Sequence, residues 1–561
     1  MNPLLWIPKQ FSKGLLCLFL CCLLSTSYGQ LAYPECEELA PTDFERKILI
    51  SKAQDITLDE PLRIKIDGKG RLFVILKNGE MWMLDATKNF QKSVVGTIDV
   101  YKGKFFGLVG LALAKDFLTS GYLYTIINIR DKPNIIYRLS RFKMVGEKLD
   151  TSSQKTILEW VHTTGEGHMG TDIFLAEDNI LYIPTGNDAW AEGTPRPSTN
   201  ESRISHNALR TSGNTNDLRG KILKIKLMVV PDSHPKDSWG EGITYTIPSG
   251  NLFPPGTPKT RPEIFSMGLR NPFSIHVEDG TVYIADVGPQ GRASTPEGAS
   301  GGDQFYITKE PANFGHPMFV DGFRPNSIMN EDNTLPVGTY DVNLPINTSK
   351  FNTGRDTLPI PKPAAAVSHW EQALNVNGWF KSGAVSLISG PIYHYTNIAS
   401  TVKFPPHFDG KWITADFMKH IVRAISLNGE TVTDVQTLFT DMTIKNPVDM
   451  EFGIDGSLFL IEYSGYVSSN LTTQISNITY TGNCLPKITG LKPGELLQAS
   501  DNRVQKITFT PGQSISIPED FLGVKIYNVS GEKIWEQKRE DSRTITLPQN
   551  IGEGLLFMQY E

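Results

Sequence analysis

Residues 261–303 read RPEIFSMGLRNPFSIHVEDGTVYIADVGPQGRASTPEGASGGD. Two alternating apolar runs, PFSIHVE and TVYIAD, flank the turn Glu278-Asp279-Gly280, and the second opens into a Gly/Ser/Pro loop. Period-two alternation around an Asp-Gly turn predicts an antiparallel β-hairpin. The same unit recurs along the chain: GKGRLFVILKNGEMWMLD from Gly68, SGYLYTIINI from Ser120, EDNILYIPTGND from Glu177, EDGTVYIADVGP from Glu278, FDGKWITADFMKHIVRAISL from Phe408 and IDGSLFLIEYSG from Ile454. A lone four-stranded sheet of this kind cannot bury its faces, so six units imply six blades around an axis. No long amphipathic helix is evident, and the predicted class is all-β: a six-bladed β-propeller followed by a small C-terminal β-sandwich.

The intervals between units lengthen into loops rich in Pro, Asn, Gly and Ser, at Ala191–Asp217, Met228–Arg261, Gln290–Gly301 and Asp321–Pro363. Insertions of this length are functional or disordered, and in a propeller they are expected to build a cleft over the central channel. Trp190, Trp239, Trp370 and Trp379 lie in or beside such segments, available for stacking on sugars or for packing. From about Pro486 the pattern shifts to short alternating strands with Pro/Gly turns, enough for a sandwich of roughly 70 residues. At the other end, Lys9 and Lys13, the run GLLCLFLCCLL and Ser27-Tyr28-Gly29 before Gln30 have the layout of a secretory signal peptide. The apolar run is too short for a permanent membrane helix. The expected organisation is signal peptide 1–29, propeller 30–485 and sandwich 486–561, in a secreted, periplasmic or surface-exposed protein. Three of the five cysteines fall in the signal segment; Cys36 and Cys484 remain, to be bridged in an oxidising compartment or to stay as buried thiols. The net charge of −6, with both signs interspersed, argues against a nucleic-acid partner.

Certain residues stand apart from this scaffold. Arg270-Asn271-Pro272 precedes one strand of the quoted hairpin, and Asp286-Val287-Gly288-Pro289 follows the other. A cation and an amide beside a Gly-Pro corner can read an anion and offer carbonyls to a hard metal; a salt-bridged Arg and an ordinary turn are the plainer alternative. His168 lies between glycines in Gly165-Glu166-Gly167-His168-Met169-Gly170, ahead of a strand that leads to Gly186-Asn187-Asp188.

Gly268-Leu269-Arg270-Asn271-Pro272, Val287-Gly288-Pro289 and Gly302-Asp303 closely resemble the core of the glucose/sorbosone dehydrogenase family. The resemblance runs from about Asp55 to Tyr480. Members are six-bladed propellers that oxidise sugars with pyrroloquinoline quinone (PQQ) and Ca²⁺. For this chain it implies His168 as general base, and Arg270, Asn271, Asn187 and Asp188 against the cofactor. It also implies Lys419 there, one residue downstream of the family's lysine, and the carbonyls of Gly288 and Pro289 on Ca²⁺. The partners implied are a sugar and an external electron acceptor. The chain departs from the pattern at three places: Phe105 replaces an amide, Asn187 an aspartate, and Asn446 and Val448 an arginine pair. Because PQQ carries three carboxylates, loss of two cations weakens the expected pocket. Two other readings stay open: a non-catalytic surface propeller that binds glycan or protein, and a calcium-dependent lactonase using Asp286, Asp303, Asp449 and Asn187. In the tail, VKIYNVSGEKIWEQ followed by TITLPQNIGEGLLF resembles the type IX secretion sorting domain. That resemblance implies an export or surface-attachment address; a plain sandwich is the alternative.

Overall fold

The protein was analysed as a computed structural model. The structure describes residues 43–163, 168–190, 196–291, 293–380, 383, 386–395, 400–463 and 471–482, together with the backbone of six strands between 504 and 560. The signal segment, Cys36 and Cys484 lie outside the described residues.

Six sheets form six blades. Blade 1 is Pro61–Ile66, Arg71–Leu76, Glu80–Asp85 and Gln91–Thr97, and blade 2 is Leu108–Leu113, Tyr122–Asp131, Asn134–Val145 and Lys148–His162, each a simple antiparallel meander. Blade 3 is built on Phe174–Leu175, Ile180–Thr185, Lys221–Leu227 and Ile264–Met267, with Ala312–Asn313 added in parallel at its edge. Blade 4 comprises Pro272–Glu278, Thr281–Asp286, Gly302–Thr308 and Ala366–His369, and blade 5 Leu387–Ile392, Trp412–Asp416, Ile421–Asn428 and Thr431–Leu438. Blade 6 takes three strands from the end of the propeller, Pro447–Phe452, Leu458–Glu462 and Gln474–Tyr480, and its fourth, Phe44–Ser51, from the beginning. This pairing of the first strand with the last closes the ring. Each of the six repeated sequence units contributes the second strand of one blade, where both sheet faces are covered and the apolar run is densest. Among the described residues the one α-helix is the single turn Phe117–Ser120, and none is long and apolar enough to cross a membrane.

Blades hold together by apolar contact between neighbouring sheet faces, for example Phe305, Phe380, Trp412 and Ile425 between blades 4 and 5. Burial of such faces is the main stabilising term. Near the axis the links are polar. Arg63 of blade 1 is 1 % exposed; it pairs with Asp172 at 3.0 Å and donates to the carbonyls of Thr171 (2.9 Å) and Phe273 (2.7 Å). A buried guanidinium is tolerable only with such a full set of acceptors, and here they tie blade 1 to the starts of blades 3 and 4.

A second device repeats at the end of the second strand in three blades. Asp286 accepts the amides of Arg270 (3.0 Å) and Asn271 (2.7 Å). Asp416 accepts those of Ser386 (3.3 Å), Met418 (3.1 Å) and Lys419 (3.0 Å), and Glu462 accepts that of Lys445 (2.7 Å). In each blade the carboxylate fixes the loop that enters the first strand.

The described parts of the insertions bond to one another and to neighbouring strands. Met228–Arg261 runs along the outer strands of blade 2, with Asp232 bonded to Tyr122 (2.7 Å) and Lys143 (2.7 Å). The segment after Asp321 packs on the loop before Lys221, through Asn347 to the carbonyls of Leu209 (2.8 Å) and Gly213 (2.9 Å). The insertions bond laterally because their Asn and Thr side chains find backbone partners in each other.

The tail forms its own sheets. Val504–Phe509, Gly554–Tyr560, Gly523–Tyr527 and Lys533–Lys538 lie in that order in one antiparallel sheet, and Ser514–Ser516 pairs with Thr544–Thr546 in a second. Two such sheets from one short stretch make the C-terminal β-sandwich.

Candidate functional site

A cavity of about 610 Å³ opens beside the propeller axis, bounded by the inner strands and connecting loops of the blades. This is within the range of a small-molecule site, roughly 300–1,000 Å³. Its described walls include His168, Met169 and Gly170 on one side, Phe105, Val109, Lys77 and Lys104 on another, and Asn271, Phe273, Phe417, Met418, Val448 and Tyr463 around the remainder. Trp190, 38 % exposed, is the one wall residue drawn from the border of an insertion among the described residues.

His168 is held by its backbone. Asp188 N–H donates to His168 O (3.2 Å), Gly186 N–H donates to Gly170 O (2.8 Å), and Asn271 Oδ1 accepts Gly170 N–H (2.7 Å). A Cβ on Gly186 would lie 2.2 Å from His168 O, so only glycine permits this approach. The ring Nδ1 lies 3.1 Å from Asn187 Oδ1. That oxygen also accepts Ala189 N–H at 3.1 Å, and since a backbone amide only donates, the orientation of the Asn187 amide is settled. His168 therefore carries its proton on Nδ1, and Nε2 keeps its lone pair. Burial, aided by the Arg270 cation, pulls the imidazole down to about 3, so it is neutral at ordinary pH.

Arg270 and Asn271 sit next to this loop. Arg270 Nη1 donates to Val287 O (2.8 Å), and burial brings the guanidinium down to about 10, still charged at neutral pH. Asp286, which caps both backbone amides, is pushed up to about 6 by burial. The structure thus unites His168, Asn187, Arg270 and Asn271 in one cluster, with His168 and Asn271 on the cavity wall and the other two behind them.

Other expected site residues are placed elsewhere. Asp188 turns into a buried ion cluster: His162 Nδ1 lies 2.6 Å from Oδ1, and Arg210 (3.2 Å) and Arg219 from Oδ2, with Thr163 N–H at 2.9 Å. Burial alone would raise this carboxyl; His162 and the two arginines hold it below the ordinary range. Both residues lie just past the strand Ile180–Thr185, and Asp188 takes a left-handed backbone (φ +53°), so that Asn187 meets His168 while Asp188 turns into the ion cluster. Lys419 donates to Ser368 Oγ (3.2 Å) beside Asp416 (3.9 Å) and is absent from the described cavity wall. The Gly288-Pro289 corner is engaged within its own blade. Pro289 O accepts Gly302 N–H (3.0 Å), Gly288 N–H is capped by Asp303 (3.2 Å), and neither residue is on the described wall. Asp286, Asp303 and Asp449 accept backbone amides, the last from Ile64 at 2.7 Å. Among the described residues no three acidic, His or Cys side chains converge as a metal would need. Phe105 and Val448 line the cavity, whereas Asn446 is bound to Phe417 O (3.0 Å).

Five polar residues escaped the sequence reading. His316 lies behind Asn187, with its Nε2 3.1 Å from Asn187 Nδ2. Its place in Gly315-His316-Pro317, a polar residue inside a backbone corner, was the available signal. At the rim, Lys77 pairs with Glu60, which also accepts Tyr463 OH (2.5 Å), and Lys104 stands over the Phe105 ring at 5.0 Å. These come from three distant segments, and nothing in their local sequence marks them.

Comparisons with known proteins fit this geometry. The soluble aldose sugar dehydrogenase of Escherichia coli superposes with a TM-score of 0.51 at 18% identity, covering 78% of this chain and 99% of that one. A glucose dehydrogenase structure gives 0.51 at 16% identity over 78% and 100%; at these identities the likeness speaks for the propeller fold. Among curated proteins, the HIPL2 protein of Arabidopsis thaliana is 28% identical over 174 residues, which is 30% of this chain and only 23% of that relative. The family model for glucose/sorbosone dehydrogenase matches residues 58–340, from the first blade through the His168 loop and the Arg270-Asn271 turn into the insertion between the third and fourth strands of blade 4. On that match the chain belongs to the glucose/sorbosone dehydrogenase family.

Proposed function

We propose that this protein is an exported sugar dehydrogenase that uses PQQ, with His168 as the base that takes the proton of the sugar hydroxyl. The observation that carries the reading is the fixed tautomer of His168: a neutral imidazole on a cavity wall, its proton committed to Asn187 and its Nε2 lone pair available. A base that is unprotonated across the physiological range can accept a hydroxyl proton without first losing one. Bound PQQ would supply the hydride acceptor.

The cavity fits a planar anionic group of that kind. Phe417, Met418 and Val448 offer apolar surface, and Lys77, Lys104 and Asn271 offer polar edges. Asn271 and Lys104 would hold the group, and Arg270, just behind, would contribute positive potential. With Lys77 already paired to Glu60, Lys104 on the rim would supply part of the charge that the missing arginine pair would have given. Electrons would pass to an external acceptor, and the sandwich would serve as an export or surface-attachment address.

The test is titration of purified protein with PQQ, followed by absorbance and by dye reduction over a panel of aldoses, with and without Ca²⁺. Saturable binding and turnover are expected, and His168→Ala should keep the binding while losing turnover by a factor on the order of 100 or more. A folded sample that leaves PQQ unbound at tens of micromolar would overturn the reading and favour a glycan-binding propeller.

A further inference from the structure

We infer that His316 is a positioning residue: together with Ala189 N–H it holds the Asn187 side chain in the orientation that sets which nitrogen of His168 carries the proton. The inference rests on the reading of His168 as base, but its geometry is independent of any bound ligand. Asn187 is fully buried and His316 is 7 % exposed. Asn187 Oδ1 accepts Ala189 N–H and His168 Nδ1–H, each at 3.1 Å, so the amide NH₂ is aimed at His316 Nε2, 3.1 Å away. That nitrogen must accept, because two donors cannot face each other at this distance. His316 is thereby neutral with its own proton on Nδ1.

The arrangement has a cost that shows where the constraint lies. His316 Nδ1 is buried and has no hydrogen-bond partner, an unfavourable state that folded proteins rarely keep. The opposite tautomer would relieve nothing, since it would set Nε2–H against the Asn187 amide. Burial and the Arg270 cation both oppose a charge on His316, so it remains an acceptor. His316 is anchored by its own N–H to Gly268 O (2.9 Å), two residues before Arg270. The chain His168–Asn187–His316 therefore links the base to the strand end that carries Arg270 and Asn271. An aspartate at position 187 could not make this chain, because it has no N–H to offer. Asn187 and His316 act as a matched pair.

The test is nitrogen NMR of selectively ¹⁵N-histidine-labelled full-length protein without cofactor or sugar, with His168 assigned from His168→Ala. In the native protein, His168 should show a protonated Nδ1 and an unprotonated Nε2, and His316 the same. His316→Leu should turn His168 into a mixture of tautomers, and His316→Gln, whose carbonyl can accept the amide, should restore the native signature. Asn187→Asp provides an arm that keeps the volume: His316 should move its proton to Nε2, and the His168 titration midpoint should rise by at least one pH unit. Native-like His168 shifts in His316→Leu, or unchanged His316 shifts in Asn187→Asp, would overturn the inference. Failure of PQQ binding alone would refute the dehydrogenase reading and leave these signals untouched.

Discussion

Asp188→Asn distinguishes a structural carboxylate from a cofactor ligand. The side chain keeps its shape, but the charge that His162, Arg210 and Arg219 converge on disappears. Removing one member of a buried ion cluster costs about 3–5 kcal/mol, because the remaining charges stay buried without compensation. Arg219 retains Asp217 at 2.6 Å, which places the expectation near the lower end, about 3 kcal/mol. At roughly 1–2 °C per kcal/mol for a unit of propeller size, the melting temperature should fall by about 3–6 °C at pH 7. The assay is scanning calorimetry of cofactor-free protein. The pH dependence supplies an internal control. The folded carboxyl lies below its ordinary range, so its contribution is complete above the unfolded value near pH 4 and declines as pH drops toward the folded value. The gap between native protein and variant should thus narrow below about pH 4. Equal melting at pH 7, with weaker PQQ binding, would refute the structural assignment and return Asp188 to the cofactor.

Two further outcomes follow from the geometry. His168 holds a neutral ring down to about pH 3, facing Arg270, His162 and Asn187, whereas an unfolded imidazole binds a proton below about 6.5. Its cost to folding thus grows as pH falls from 6.5, reaching about 2 kcal/mol at pH 5; His168→Gln should melt closer to the native protein at pH 5 than at pH 7, and a gap independent of pH would contradict the neutral ring. Gly288→Ala would place a Cβ 2.1 Å from Gly302 O and 2.3 Å from Gln304 Oε1. A loss of about 1–3 kcal/mol is expected, measured by urea unfolding, together with weaker PQQ binding because Val287, the acceptor of Arg270, adjoins the clash; native stability would show that the corner yields freely.

How legible the fold was depended on how locally each strand is determined. Second strands such as YIAD before Gly288 and FLIE before Tyr463 are covered on both faces, so their apolar runs survive in the sequence as a repeat. The closing strand FERKILIS is the outer strand of blade 6, with charged residues on its open face, and its partner is more than 400 residues away. No local pattern announces such a pairing. The lateral packing of the insertions was hidden for the same reason, since Asn and Thr in a loop do not state which carbonyl they will meet.

The same contrast separates site from scaffold. Asp286 read as a candidate ligand because it neighbours Arg270 and a Gly-Pro corner, yet blades 5 and 6 carry Asp416 and Glu462 at the corresponding strand end, each capping its own entry loop. A carboxylate that recurs in three blades has a structural task in each of them. Blades 1, 2 and 3 lack it, with Leu76, Ile127 and Thr185 at the corresponding register, the last bridged to Thr171. The loop before Thr171 is held instead by main-chain bonds and by the Asn271 amide from blade 4. With no carboxylate beneath it, His168 meets Asn187 rather than an anion, and its imidazole stays neutral and able to accept a proton. The His168–Asn187–His316 chain is thus carried on one of the blades without that carboxylate.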